Sequence, residues 1–202
     1  TMAKFVFKLL FNKLRKDDLM ASTRADLIMS NSNEVKNRVS KYYSRDSVVL
    51  YPPVSNLFFE TEIKDDDKSC RKYITVARLV PYKRVDIIIK ACIELKRELL
   101  IIGKGSEEKS LKKLVASLNG SNLIKFDSNL SDQQLAFEYS NSRAFIFAAY
   151  EDFGLTPVEC MATGTPVIAY NRGGLSETVI DNKSGIKYEE QNTESLKKAI
   201  LK

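Results

Sequence analysis

Two glutamates, Glu151 and Glu159, flank the run Asp-Phe-Gly-Leu-Thr-Pro-Val, and two cations, Arg78 and Lys83, flank Leu-Val-Pro-Tyr. Carboxylates accept sugar hydroxyls or move protons, while a guanidinium fork and an ammonium match the oxygens of a di-anion such as a diphosphate. The 202 residues include no His and no Trp, which excludes Ser-His-Asp and Cys-His catalysis, a His general base and His-containing metal sites. Cys70, Cys92 and Cys160 are odd in number and widely spaced, without a C-x-x-C pair. Neither a disulfide framework nor a thiolate zinc site is expected, and a reducing cytosol fits that usage.

The elements that must position these groups alternate along the chain. Short apolar runs predict strands at 73–77, 99–102, 123–126, 144–148, 166–169 and 185–188. Helices are predicted at 85–96, 107–118, 132–140, 157–162, 175–180 and 193–202. This alternation indicates an α/β fold, a doubly wound, Rossmann-like parallel sheet with helices on both faces. Upstream, residues 4–20 read as a helix with Phe7, Leu10, Phe11 and Leu14 on one face and Lys8, Lys13, Arg15 and Lys16 between them. A strand at 25–30, a helix at 32–43 and a strand at 48–51 follow, stopped by Pro52-Pro53. Residues 55–71, with the run Asp65-Asp-Asp-Lys-Ser69, read as a linker.

The basic excess is local. The first 50 residues carry 10 Lys+Arg against 5 Asp+Glu, and the rest carry 22 against 21. No interleaving of cations with aromatics marks a nucleic-acid module, so nucleic acid is not an expected partner. No apolar stretch reaches bilayer-spanning length, and residues 4–11, interrupted by Lys8, are too short for a signal-peptide core.

In an open α/β sheet, ligands bind beyond the carboxyl ends of the strands. After the strand at 73–77, Arg78 and Lys83 either clamp a di-anion or form a solvated basic loop. Gly103-Lys-Gly105 lacks the third glycine of a dinucleotide fingerprint, with Glu108 in its place, and reads as a tight turn before a helix. Ser131 and Gln134 form a capping box, and the residues before it leave backbone groups suited to the edge of a planar base. Thr156 as N-cap, Pro157 at N1 and Glu159 at N3 read as a helix start, which with Gly154 beside it also makes an anion site. Glu151 has no capping role and is the more informative of the two glutamates.

Five stretches recur in order: Val76-Ala-Arg-Leu-Val-Pro-Tyr-Lys-Arg-Val-Asp86, Ile102-Gly-Lys-Gly105, Glu151-Asp-Phe-Gly-Leu-Thr-Pro-Val-Glu159, Gly164-Thr-Pro-Val-Ile168 and Gly173-Gly-Leu-Ser-Glu177. Together they resemble the donor-binding domain of the retaining GT-B glycosyltransferases of family 4. Residues 25–53, with Asn31-Ser-Asn33, Lys41-Tyr-Tyr43 and Tyr51-Pro-Pro-Val54, resemble the end of that family's acceptor domain. The resemblance implies a remnant of the acceptor domain and crossover at 1–54, the linker at 55–71, and the C-terminal donor-binding half of a GT-B fold at 72–202, lacking the terminal crossover helix.

The same resemblance implies the roles of the residues. Arg78 and Lys83 bind the diphosphate of a nucleotide sugar, backbone at Ser128, Asn129 and Leu130 holds the base, and Glu159 binds the ribose hydroxyls. Glu151 and the amides of Phe153, Gly154 and Leu155 hold the transferred sugar, Thr156 contributes to the phosphate site, and Gly103 gives the nucleotide room. Catalysis falls to Arg78, Lys83 and Glu151, with no metal and no cofactor. The closest flavour is that of mannosyltransferases of surface-polysaccharide or glycolipid assembly, with GDP-mannose as donor or, failing that, a UDP-sugar.

Ala77 departs from the family's usual Gly, tightening the approach to the phosphates. The missing acceptor domain points to a fragment, a truncated gene product or half of a split enzyme, and to a chain that binds donor but is inactive alone. A glycoside hydrolase using Glu151 and Glu159 is the weaker rival. Residues 4–20 are expected to pack on the missing domain, to self-associate or to contact a membrane peripherally, placing the chain in the cytoplasm or at the inner membrane face.

Overall fold

The computed structural model describes residues 2–61 and 72–202. Cys70, the acidic run at 65–69 and most of the expected linker lie outside them. The chain forms two compact units, Thr1–Tyr51 and Pro52–Lys202.

The first unit holds α1 (Met2–Ser22), β1 (Met29–Ser30), α2 (Asn33–Tyr43) and β2 (Val48–Val49). The strands pair in parallel, Met29 opposite Val48 and Ser30 opposite Val49. They are shorter than the expected 25–30 and 48–51, because each has one neighbour and Leu27, Met29, Val48 and Leu50 remain exposed. Ser32 caps α2 by accepting from the Val35 amide at 3.1 Å. On α1, Phe7, Leu10, Phe11 and Leu14 are exposed. Among the described residues, no helix is long and apolar enough to cross a membrane.

The second unit begins with α3 (Asn56–Phe59), then β3 (Tyr73–Val76), a 3₁₀ turn (Pro81–Lys83), α4 (Val85–Glu94), β4 (Leu99–Ile102), α5 (Glu108–Ser117) and β5 (Ile124–Asp127). It continues with α6 (Asp132–Ser140), β6 (Phe145–Phe147), α7 (Leu155–Ala162), β7 (Val167–Tyr170), α8 (Leu175–Thr178), β8 (Gly185–Tyr188) and α9 (Thr193–Ile200). Its six strands form one parallel sheet in the order β5-β4-β3-β6-β7-β8. The chain therefore winds outward in both directions from the β3/β6 junction.

Alternation along the strands divides the core into two layers. Tyr73, Leu99, Ile101, Ile146 and Ile168 pack under α4, α5 and α9, while Ile74, Leu100, Phe145, Phe147, Val167 and Ala169 pack under α3, α6, α7 and α8. Cys92 and Cys160 are buried, one in each layer, and burial pushes the Cys92 thiol up to about 12. The helix α3 lies inside the segment read as a linker. Ser55 accepts from the Leu57 amide at 3.4 Å, and Phe58 packs 5.9 Å, centroid to centroid, from Tyr139. A single helical turn is too short to show a periodic apolar pattern, but its one buried ring anchors it to α6.

Candidate functional site

The β3/β6 junction is the topological switch point of the sheet, where a crevice opens between loops leaving in opposite directions. Pro81 opens the 3₁₀ turn that follows β3, and Lys83 closes it. The Lys83 Nζ donates to the Glu151 carboxylate on the loop after β6. It also lies 5.1 Å from the centroid of the Tyr82 ring and 5.4 Å from that of Phe147, an electrostatically favourable setting for a cation. Only 13% and 23% of the Lys83 and Glu151 side chains remain exposed. A cation and a carboxylate assigned by sequence to neighbouring parts of one ligand thus meet across the crevice. Arg78, on the same loop as Lys83, is exposed, with no side-chain partner among the described residues.

The loop after β7 joins this pair. Gly173 bridges to Glu151, and the Gly174 amide donates to the Glu151 carbonyl at 2.9 Å. Glu151 is therefore held by its backbone on one side and by its side chain on the other.

The start of α7 differs from the sequence expectation. Gly154, at φ 84°, is the N-cap and turns the chain into the helix two residues before Pro157. A Cβ there would lie 2.5 Å from Leu175 Cδ2, so glycine suits both the left-handed backbone and the space. Thr156 sits one residue inside the helix, not at its cap, and its hydroxyl donates to the Val76 carbonyl at 3.2 Å, tying α7 to the end of β3. Pro157 is tolerated in the first turn because no intrahelical bond requires its amide. The first-turn amides of α7 are left without a side-chain cap, and the positive end of its dipole lies at the end of the loop that carries Glu151.

With the cap at Gly154, Glu159 lies beyond the N3 position and cannot complete a capping box. It is partly buried and has no hydrogen-bond or ion-pair partner among the described residues. Burial raises its pKa, and the neighbouring charge of Asp132 adds to the shift. An unpartnered carboxylate held partly out of water is suited to accepting ligand hydroxyls. Phe153 is buried and Leu155 is exposed.

At the other end of the crevice, the capping box of α6 forms as expected. Gln134 N donates to Ser131 Oγ at 3.3 Å, and Ser131 N donates to Gln134 Oε1 at 2.8 Å. Of the backbone groups expected to meet a base, the Ser128 amide already donates to Asp127 Oδ1 at 2.6 Å. Asn129 Oδ1 accepts from Lys104 Nζ at 2.8 Å, and Leu130 packs partly buried against the core layer of α6. Gly103, at φ 144°, would place a Cβ 2.0 Å from the Ala77 carbonyl oxygen, so the close approach of two loops already demands glycine there.

Sequence reasoning placed Arg78, Lys83, Glu151 and Glu159 on loops and helix starts along one edge of the sheet; the structure brings Lys83 and Glu151 into contact, leaves Arg78 on the loop after β3, and carries Glu159 inside α7. It did not find the Lys83–Glu151 pair, the Thr156 contact with β3 or the role of Lys104, which joins two loops. A Gly-x-Gly turn with a long cation at its centre was the only available signal for Lys104. An open apolar depression of about 380 Å³, lined in part by Tyr73, Arg143, Pro166 and Ile200, lies at the opposite, amino edge of the sheet and contains none of these groups.

Residues 54–202 match the family described as Glycosyl transferases group 1. An uncharacterised glycosyltransferase of Methanocaldococcus jannaschii is 31% identical over 181 residues, covering 90% of this chain and 50% of the relative. A GDP-mannose-dependent α-(1-6)-phosphatidylinositol monomannoside mannosyltransferase of Mycolicibacterium smegmatis is 26% identical over 140 residues, covering 63% of this chain and 37% of the relative. Sucrose-phosphate synthase of Thermosynechococcus elongatus superposes with a TM-score of 0.79 at 25% identity, over 92% of this chain and 52% of that one. This chain spans half the length of the archaeal relative. The six-stranded parallel sheet flanked by helices is that of GT-B glycosyltransferase structures. With its switch-point cations, glutamates and family match on one continuous unit, the chain belongs to the group 1 glycosyl transferases.

Proposed function

We propose that the unit Pro52–Lys202 binds a nucleoside-diphosphate sugar along the carboxyl edge of its sheet and that the whole protein transfers the sugar to an acceptor hydroxyl. The observation that carries this reading is the Lys83–Glu151 pair beside the uncapped start of α7, at the switch point. Arg78, Lys83 and the α7 amides of Thr156 and Val158 take the diphosphate. Glu151 and the amides of Phe153, Gly154 and Leu155 take the sugar, Glu159 the ribose hydroxyls, and the 128–130 loop the base.

The chemistry is leaving-group stabilisation. The bond from the anomeric carbon to the β-phosphate oxygen breaks, and its electron pair leaves on the diphosphate, where cations and a helix N-terminus meet the growing charge. The acceptor oxygen bonds to the anomeric carbon on the same face, and its proton passes to a phosphate oxygen, giving retention without a metal, as in family 4. GDP-mannose is the favoured donor, supported by the GDP-mannose dependence of the mycobacterial relative. Because this chain spans half of its archaeal relative, binding without transfer is the expectation for these residues alone. The hydrolase alternative is the weaker one, because Glu151 and Glu159 stand on one loop and the helix that follows it rather than facing each other across a scissile bond. The exposed face of α1 is assigned to self-association or peripheral membrane contact, to be read by light scattering and vesicle sedimentation.

Calorimetric titration with GDP and UDP tests the site. Arg78→Ala and Lys83→Ala are each expected to weaken binding about 10- to 100-fold, the usual range for losing a charge-assisted contact. Failure of the unmodified chain to bind either nucleotide at millimolar concentration would reject the reading.

A further inference from the structure

Lys104 and Asn129 stand on the loops that follow β4 and β5, neighbouring strands whose last pairing is Ile102 with Asp127. Their backbones are held in place. The Gly103 amide donates to the Asp127 carbonyl at 2.9 Å, and the Leu79 amide donates to the Lys104 carbonyl at 2.9 Å. Between the two side chains, Lys104 Nζ donates to Asn129 Oδ1 at 2.8 Å.

An ammonium donates and never accepts, so this contact fixes how the amide is turned: its oxygen faces Lys104 and its NH₂ group faces away. Neither residue has a further hydrogen-bond or ion-pair partner among the described residues, though the Lys104 charge also reaches the Glu108 carboxylate. The pair therefore presents the remaining ammonium protons and both amide protons to whatever lies beside it. An asparagine recognises adenine by accepting from N6 while donating to N7, and here the oxygen needed for N6 is already engaged. Guanine O6 and N7, by contrast, are adjacent acceptors, and uracil offers O4.

The geometry points to Lys104 and Asn129 as a base-reading pair that selects nucleotides with an oxo edge, guanine first and uracil second, against the amino edges of adenine and cytosine. This assignment rests on the proposed donor site and adds to it side chains that set its base specificity.

The test is titration of GDP, UDP, ADP and CDP into the full 202-residue chain and into the variants Lys104→Ala, Asn129→Asp and Arg78→Ala. The unmodified chain is expected to favour GDP over ADP by about tenfold or more, the discrimination of one good bidentate contact. Lys104→Ala frees the amide oxygen, and Asn129→Asp replaces donors with acceptors, so each should shrink the GDP/ADP ratio about tenfold, partly by tightening ADP. Arg78→Ala should weaken all four nucleotides equally. Both side chains are exposed, and the variants should melt with the unmodified chain. A GDP/ADP ratio unchanged in Lys104→Ala and Asn129→Asp, or equal affinity of the unmodified chain for ADP and GDP, would overturn the base-reading role while leaving the diphosphate site standing. Absence of binding by every nucleotide would remove both.

Discussion

The helices α6 and α9 begin behind side chains that satisfy their own first-turn amides, whereas α7 begins behind a glycine. Ser131 and Gln134 close the start of α6 reciprocally, and Asn192 accepts from the Ser195 amide at 2.8 Å to close α9. Gly154 offers α7 no such group. A glycine in place of a capping side chain costs a helix roughly a few tenths of a kcal/mol, a small stability that α7 forgoes and α6 and α9 keep. The helices α4, α5 and α8 likewise begin without a side-chain cap, so an open start alone does not single out α7; its place at the switch point, next to the Lys83–Glu151 pair, does. The Lys83–Glu151 pair at the carboxyl ends of the strands marks the proposed ligand edge more directly than the apolar depression at their far end does.

Three substitutions break or sharpen that contrast. The largest effect is expected from Gly154→Ala. Left-handed backbone costs a non-glycine residue about 1–2 kcal/mol, and the new methyl presses on Leu175. The melting temperature should drop by roughly 2–4 °C for each kcal/mol lost, and GDP binding should disappear at millimolar concentration as the α7 amides are displaced.

Glu159→Gln comes next, with a loss of about tenfold in GDP affinity measured at neutral pH. Its pH behaviour is more telling. Burial raises the Glu159 pKa, so the ionised form that accepts ribose hydroxyls is complete only above a value higher than the ordinary carboxylate range. Affinity should hold above that value and decay as pH falls through it, while the glutamine variant shows no such step. Stability of the unliganded chain runs the other way. The folded state favours protonated Glu159, so ionising it as pH rises costs stability, and Glu159→Gln should melt higher than the parent at neutral pH.

The smallest effect is Asn192→Ala. It should cost about 1 kcal/mol of stability, read from denaturant midpoints, with GDP affinity unchanged, because the α9 cap serves only its own helix.

What was legible in the sequence follows the same division. The strands Leu99–Ile102 and Gly185–Tyr188 and the helix Asp132–Ser140 match their expected bounds. Apolar runs between sharp punctuation, and a capping box, are local signals. The start of α7 was misread because proline at N1 is a strong statistical rule, while Gly154 in the left-handed region achieves the same turn two residues earlier. That shift took the capping explanation away from Glu159. The Lys83–Glu151 pair joins residues 68 positions apart. It exists only because β3 and β6 are neighbours in the sheet, which no local pattern reveals. Phe58 was passed over for the related reason that one buried ring in one turn has no period.

The central claim is that the open start of α7 is a diphosphate site. Backbone amide NMR on the full chain, titrated with GDP, reads those amides directly. The account predicts that the α7 amides of Thr156 and Val158 shift and saturate with one affinity, the same affinity that Arg78→Ala weakens, while the capped amide of Ser195 stays in place. Saturable GDP binding that leaves Thr156 and Val158 unmoved would contradict it.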